Sequence, residues 1–160
     1  MDLPEAPPND PRTGVGKSMM ASPFKELYVF GASGHGKVVA DICLSCGITP
    51  AGFVDDGRNV SNRDVLGLNV VGGRGALLER ASEIDGPIAV ALGIGSNHVR
   101  QDIATWCNEH GFALPTLVHP SAVIASSAIL GEGTVVMAGV AVNPYSVIGR
   151  GVILNTGCVI

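Results

Sequence analysis

From Glu26 onward, short apolar runs alternate with stretches whose apolar residues recur at helical spacing. The runs "ELYVFG", "AGFVDD", "LNVVGG", "PIAVALG" and "ALPTLVH" read as strands. Between them the spacing predicts helices near Lys37 to Ser45, Ala76 to Ser82 and Asn97 to Glu109. Strands alternating with helices of this length predict a parallel sheet with helices on its faces. Residues 25–117 therefore read as an α/β, Rossmann-like domain. At Val118 the period changes. Every sixth residue is apolar: Val118, Ile124, Leu130, Val136, Val142, Ile148, Leu154 and Ile160. Four residues after each of the first seven stand Ala122, Ala128, Thr134, Val140, Ser146, Val152 and Cys158, all small or β-branched. A half-buried sheet repeats every second residue and would not hold this spacing over 43 residues. The hexapeptide period predicts a parallel β-helix over residues 118–160, with three short strands per coil and the apolar residue inside. Residues 1–24 carry five of the ten prolines and no apolar period, and are expected to form a disordered leader.

Composition narrows the function. The chain has 160 residues, 46% hydrophobic and only 15% charged, enough for a packed core. Its net charge of -4 and lack of a Lys/Arg cluster argue against a nucleic-acid surface or an anionic membrane as partner. No apolar run approaches a membrane span, and the N-terminus lacks the pattern of a secretory signal, so a cytoplasmic protein is expected. The 22 glycines with 4% aromatics point to tight turns and close backbone approaches. Cys43 and Cys46 have CxxC spacing, but no second pair follows at zinc-finger spacing. The four cysteines, Cys107 and Cys158 included, are expected as buried thiols.

The strongest chemical motif is "YVFGASGHGKVVADI", a glycine-rich turn between a strand and a helix. There Gly31, Ala32, Ser33, Gly34, His35 and Gly36 can offer backbone N–H groups and a helix dipole to a phosphate. A dinucleotide fingerprint needs glycine where Ser33 stands, so nicotinamide binding is disfavoured and another nucleotide is left open. "GVGKS" in the leader does not form a phosphate loop, because Pro11 occupies the position of its first glycine. Asp55 and Asp56 end the second strand, where an acidic side chain can accept from a ribose or a base, or be a solvated turn. "GIGSNHVR" repeats the strand-to-helix geometry. Gly95 turns the chain, Asn97 contacts ligand or caps the helix, and Arg100 contacts ligand or forms a surface ion pair. His35 lies in the glycine turn, where a structural role offers an imidazole little, and is read as functional. His98 and His110 are expected to face solvent, and His119 is the lone histidine of the coils, too few for a three-histidine zinc site. No metal is expected.

With "GASGHGKVVADI", "GFVDD", "TLVHPSAVIASSAILGEGTVVMAG" and "GVILNTGCVI" in view, the chain resembles the NeuD/PglD-like family of bacterial sugar acetyltransferases from about Glu26 to Ile160. The resemblance implies a homotrimer of left-handed β-helices, with acetyl-CoA as donor in a groove between subunits. It also implies a nucleotide-linked sugar lying against residues 31–36 and 55–56. Asn155 matches an asparagine that lines the family's active site, and His35 is assigned to orienting substrate or relaying a proton. In the family a histidine general base follows that asparagine motif, which places its counterpart just beyond Ile160. The β-helix is thus expected to be truncated, with acetyl transfer only in a longer chain. The expected reaction is N-acetylation of a nucleotide-linked amino sugar, with sialic acid O-acetylation as the variant within the family. A non-catalytic nucleotide-sugar-binding module, associating through its short β-helix, is the competing reading.

Overall fold

The computed structural model describes residues 23–57 and 62–160. The "GVGKS" stretch and all but the last two residues of the expected leader lie outside the described residues. The N-terminal half holds strands β1 (Glu26–Phe30), β2 (Gly52–Val54), β3 (Asp64–Val65), β4 (Leu68–Gly72) and β5 (Ile88–Leu92). Its helices are α1 (Gly34–Ser45), α2 (Arg74–Glu83) and α3 (Asn97–Glu109). The sheet order is β3-β4-β2-β1-β5, with β1, β2, β4 and β5 parallel. Alternation along β1 sorts its side chains to two faces. Leu27 and Val29 pack with Val39, Ala40 and Ile42 of α1, while Tyr28 and Phe30 pack with Leu77 of α2 and Ile103 of α3. Because both faces are covered, β1 and β5 read as near-continuous apolar runs.

Two features depart from the sequence pattern. β3 pairs antiparallel with β4 through Leu66 and Gly67, both at positive φ (56° and 75°), a tight hairpin that the short Asp64–Val65 run does not announce. "ALPTLVH" is not a full strand of the sheet. Ala113 makes a single bridge to Ala89, and Leu117–Val118 instead forms β6, the first strand of the coils.

The coils continue with β7 (Val123–Ile124), β8 (Ile129–Leu130), β9 (Val135–Val136), β10 (Ala141–Val142), β11 (Val147–Ile148) and β12 (Ile153–Leu154). Each strand pairs in parallel with the one eighteen residues on, as in Leu117↔Val135, Val123↔Ala141, Ile129↔Val147 and Val135↔Ile153. The three stacks are the three faces of a parallel β-helix. Its corners recur every six residues at positive φ: Gly133, Gly139, Tyr145, Gly151 and Gly157. Hydroxyls lock neighbouring coils together, since Ser121 Oγ, Ser127 Oγ and Thr134 Oγ1 accept from the backbone N–H of Gly139, Tyr145 and Val152. Of the expected interior set, Val136, Val142, Ile148 and Leu154 are buried, and Val118, Ile124 and Leu130 are half-buried against the same core. Ile160 departs from the expectation: its side chain is 45% exposed. One apolar cluster joins the sheet residues Leu27, Val29 and Ala89 to Leu117, Val136 and Leu154 of the coils. Among the described residues no helix is long and apolar enough to cross a membrane.

Candidate functional site: a cleft between the glycine turn and the coils

After β1 the chain turns at Gly31 (φ 102°), whose N–H donates to Val54 O at 2.7 Å. A side chain at Gly36 would place its Cβ 1.8 Å from Gly31 O, and Gly36 Cα in turn lies where a Cβ on Gly93 would point, at 2.8 Å. Gly31, Gly36 and Gly93 therefore pack backbone on backbone, which only glycine permits. This contact draws the chain into helix early. α1 begins at Gly34 rather than near Lys37, so Gly34 and His35 belong to the first helical turn and not to a free loop. Ser33 is the N-cap but its side chain makes no capping bond. The first-turn N–H groups thus lack intrahelical acceptors and give this end a partial positive charge.

The carboxylates behind the turn brace it. Asp55 accepts from Ala32 N–H and Gly57 N–H, both at 2.8 Å, while Arg63 Nη2 donates to Ala32 O at 2.8 Å. Asp56 accepts from Arg74 N–H at 2.9 Å and Arg74 Nε at 2.7 Å, and so caps α2 from across the sheet edge. The turn alternative fits Asp55, which accepts from Gly57 N–H two residues on, and Asp56 is exposed; both also brace backbone of other segments. Neither residue lines the cleft described next.

A cleft of about 480 Å³ opens between the start of α1 and the coils. One wall is Gly34, His35 and Val38, with Gly95 and Asn97 beside it; the opposite wall is Met137, Ile153, Asn155 and Thr156. His35 and Asn155, 120 residues apart in the chain, are brought to one cavity. Gly31, Ala32 and Gly36 are buried beneath the turn, and Ser33 is exposed at the cap. Among the described residues, His35 Nε2 is buried and has no hydrogen-bond partner. Burial first, and then the charge of Arg100, hold the His35 pKa below the usual imidazole range, so the ring is neutral near pH 7.

The reading of Asn97 as a helix cap is corrected: Ser96 is the N-cap, and Asn97 Oδ1 accepts from Arg100 Nη2 at 2.7 Å. The surface ion pair expected as the alternative for Arg100 is also corrected. Its guanidinium is buried behind Asn97 and donates to backbone carbonyls. Cys43 and Cys107 are buried thiols, with burial pushing each pKa up to about 12, whereas Cys46 is exposed and Cys158 half-buried. His98 is exposed, as expected, and His110 is exposed with its ring 4.7 Å from that of Trp106. His119 Nδ1 bonds Ser121 at the first coil, outside the cleft. The sequence reading missed the cleft-lining Val38, Met137, Ile153 and Thr156, and Gly93 and Arg63, which support the turn. Only Gly93 carried a signal, as the first glycine of "GIG" directly after β5.

Comparison with known proteins gives the architecture a family context. The PglD N-terminal domain family matches residues 26–107. UDP-N-acetylbacillosamine N-acetyltransferase of Bacillus subtilis (strain 168) is 30% identical over 115 residues, covering 72% of this chain and 52% of the relative. A mutant of perosamine N-acetyltransferase from Caulobacter crescentus, in complex with CoA and GDP-perosamine, superposes with a TM-score of 0.77 at 40% identity. That match covers 84% of this chain and 62% of the other. The acetyltransferase domain of PglB from Neisseria gonorrhoeae FA1090, in complex with acetyl coenzyme A, superposes at 0.71 with 35% identity, over 84% and 63% of the two chains. The chain thus spans about half the length of its curated relative.

Proposed function

The chain belongs to the PglD N-terminal domain family, and we propose that it provides the nucleotide-sugar side and the first coils of an acetyl-CoA-dependent N-acetyltransferase. In this reading residues 25–117 form a Rossmann-like binding domain and residues 118–160 begin a left-handed β-helix that assembles as a trimer. The observation that carries the proposal is the meeting of His35 and Asn155 in one cleft at the N-terminus of α1. The substrate is an amino sugar linked to a nucleoside diphosphate, as in the complex of the Caulobacter relative. The first-turn N–H groups suit the diphosphate. Gly31, Ala32, Ser33 and Gly36 shape that turn, and Asp55 and Asp56 hold the strand edge beside which the nucleoside lies.

Acetyl-CoA supplies an activated thioester. The sugar amine forms the new C–N bond as the C–S bond breaks, and the amine must lose a proton as it attacks. His35, held neutral on the cleft wall, with its Nε2 buried and unpartnered among the described residues, is read as orienting the sugar or relaying that proton. Asn155 offers an amide donor and acceptor from the opposite wall, and Gly95 and Asn97 border the same space. His35 is the one ionisable side chain among the residues lining the cleft, which keeps the non-catalytic binding module as the second reading. Calorimetric titration with UDP- and GDP-linked amino sugars tests the site: saturable binding that Asn155→Ala weakens is expected, and no binding of either sugar would sink the proposal. Thiol release from acetyl-CoA in the presence of the bound sugar separates the enzyme from the module.

A further inference from the structure

We propose that Arg100 is a positioning residue that fastens the two walls of the cleft together and so sets the separation between His35 and Asn155. The inference rests on the nucleotide-sugar reading of that cleft. Arg100 stands on α3 and is only 8% exposed. Its Nη1 donates to Ile94 O at 3.0 Å and Gly95 O at 2.9 Å, and its Nη2 donates to Asn97 Oδ1 at 2.7 Å. Those three acceptors lie on the segment that supplies Gly95 and Asn97 to the cleft. Its Nε donates to Gly151 O at 2.7 Å. Gly151 is the corner residue (φ 62°) from which the chain runs through β12 to Asn155. One planar fork thus joins the segment beside the His35 wall to the coil that carries Asn155, which a lysine, with all its donors on a single nitrogen, cannot reproduce.

The charge is informative beyond the geometry. All four acceptors are neutral, and among the described residues no carboxylate forms an ion pair with Arg100. Burying a cation against dipoles alone carries a desolvation cost that an apolar side chain of similar volume would avoid. Here the uncompensated positive charge has two effects within reach. It acts on His35 in the same direction as burial, keeping the imidazole neutral. It also adds to the partial charge at the start of α1, where the sign suits a diphosphate.

Arg100→Lys and Arg100→Gln separate the fork from the charge. The measurements are thermal melting, NMR titration of the His35 ring in histidine-labelled protein, and calorimetry with GDP and UDP as probes. Since a positive neighbour depresses a histidine pKa, Arg100→Gln raises the His35 midpoint toward the ordinary value, and Arg100→Lys holds it low. Both substitutions weaken nucleotide binding, on the order of 10- to 100-fold, because the walls lose their register. Folded variants with a lowered melting temperature but unchanged His35 midpoint and nucleotide affinity would overturn the proposal and leave Arg100 a scaffold residue. If the unsubstituted chain binds neither GDP nor UDP, the substrate reading falls, and the positioning role of Arg100, which rests on it, falls with it. Should Arg100→Gln fail to fold, the affinity of Arg100→Lys still decides whether the fork positions the site.

Discussion

Gly36 and Gly34 stand two residues apart in one motif and answer to different constraints. A methyl on Gly36 would sit 1.8 Å from the carbonyl oxygen of Gly31, and backbone on both sides leaves nothing flexible to yield. Gly36→Ala is therefore expected to cost roughly 3 kcal/mol or more, the range of severe single substitutions. At Gly34 a Cβ would meet nothing within 4 Å, and the residue is already helical. Gly34→Ala is expected to raise stability by about 0.4–1 kcal/mol through the unfolded chain, while its methyl enters the cleft and weakens nucleotide binding. Urea denaturation midpoints and calorimetry on the two variants check both halves of the contrast; equal stability losses would refute it. The sequence displayed both glycines at suggestive spacing but could not rank them. That ranking depends on the turn at Gly31 (φ 102°), which folds its carbonyl back over the start of α1 to within 1.8 Å of a Cβ on Gly36. The sequence singled out His35 from its place in the glycine turn, and the structure puts it on the wall of the cleft. The burial of its Nε2 was not legible, because burial depends on tertiary packing and not on the spacing of the motif.

At the scale of elements, caps and corners show how local chemistry is completed from elsewhere. The N-cap of α2 is Gly73, which has no side chain, and Asp56 beyond the end of β2 supplies the missing acceptor to Arg74 N–H. Asp56→Ala is expected to cost about 1 kcal/mol, typical of a lost cap. Asp56→Asn retains the Oδ1 acceptor and most of that stability. Arg74→Ala loses an ion pair whose side chains are 44% and 38% exposed, and is expected to cost less than the cap. Thermal melts on the three variants give the order; an Arg74→Ala loss exceeding that of Asp56→Ala would show that the pair, and not the cap, holds α2. The sequence placed Asp55 and Asp56 correctly at a strand end. It could not distinguish ligand contact from bracing, because their partners Ala32 and Arg74 lie 23 and 18 residues away. The coils were far more legible. A six-residue period is a local regularity, and the positive-φ corners at Gly133, Gly139, Gly151 and Gly157 repeat with it. Tyr145 occupies the same corner without glycine, which is why a glycine pattern alone would have missed one turn.

For the molecule as a whole, the change of period at Val118 marks a change of architecture without separating two cores. Leu27 and Val29 of β1 share one apolar cluster with Leu117, Val136 and Leu154 of the coils. Leu92 of β5 also approaches the coil corner, 3.1 Å from the Cβ position of Gly133. The two halves should then unfold together. The single tryptophan, Trp106, lies on α3 beside Phe30 and Phe112, far along the chain from β12, and reports on the N-terminal half. Leu154→Ala removes a buried side chain from the last coil strand. Such truncations cost about 2–5 kcal/mol, or on the order of 5 °C or more in a chain of this length. If the core is continuous, this substitution lowers the Trp106 fluorescence midpoint by that amount although it touches no residue near the indole. If the midpoint stays in place while amide exchange in the coils accelerates, the halves are energetically separate. A cleft whose opposite walls belong to the two halves needs the coupled outcome, since His35 and Asn155 keep their register only while the sheet and the coils hold each other.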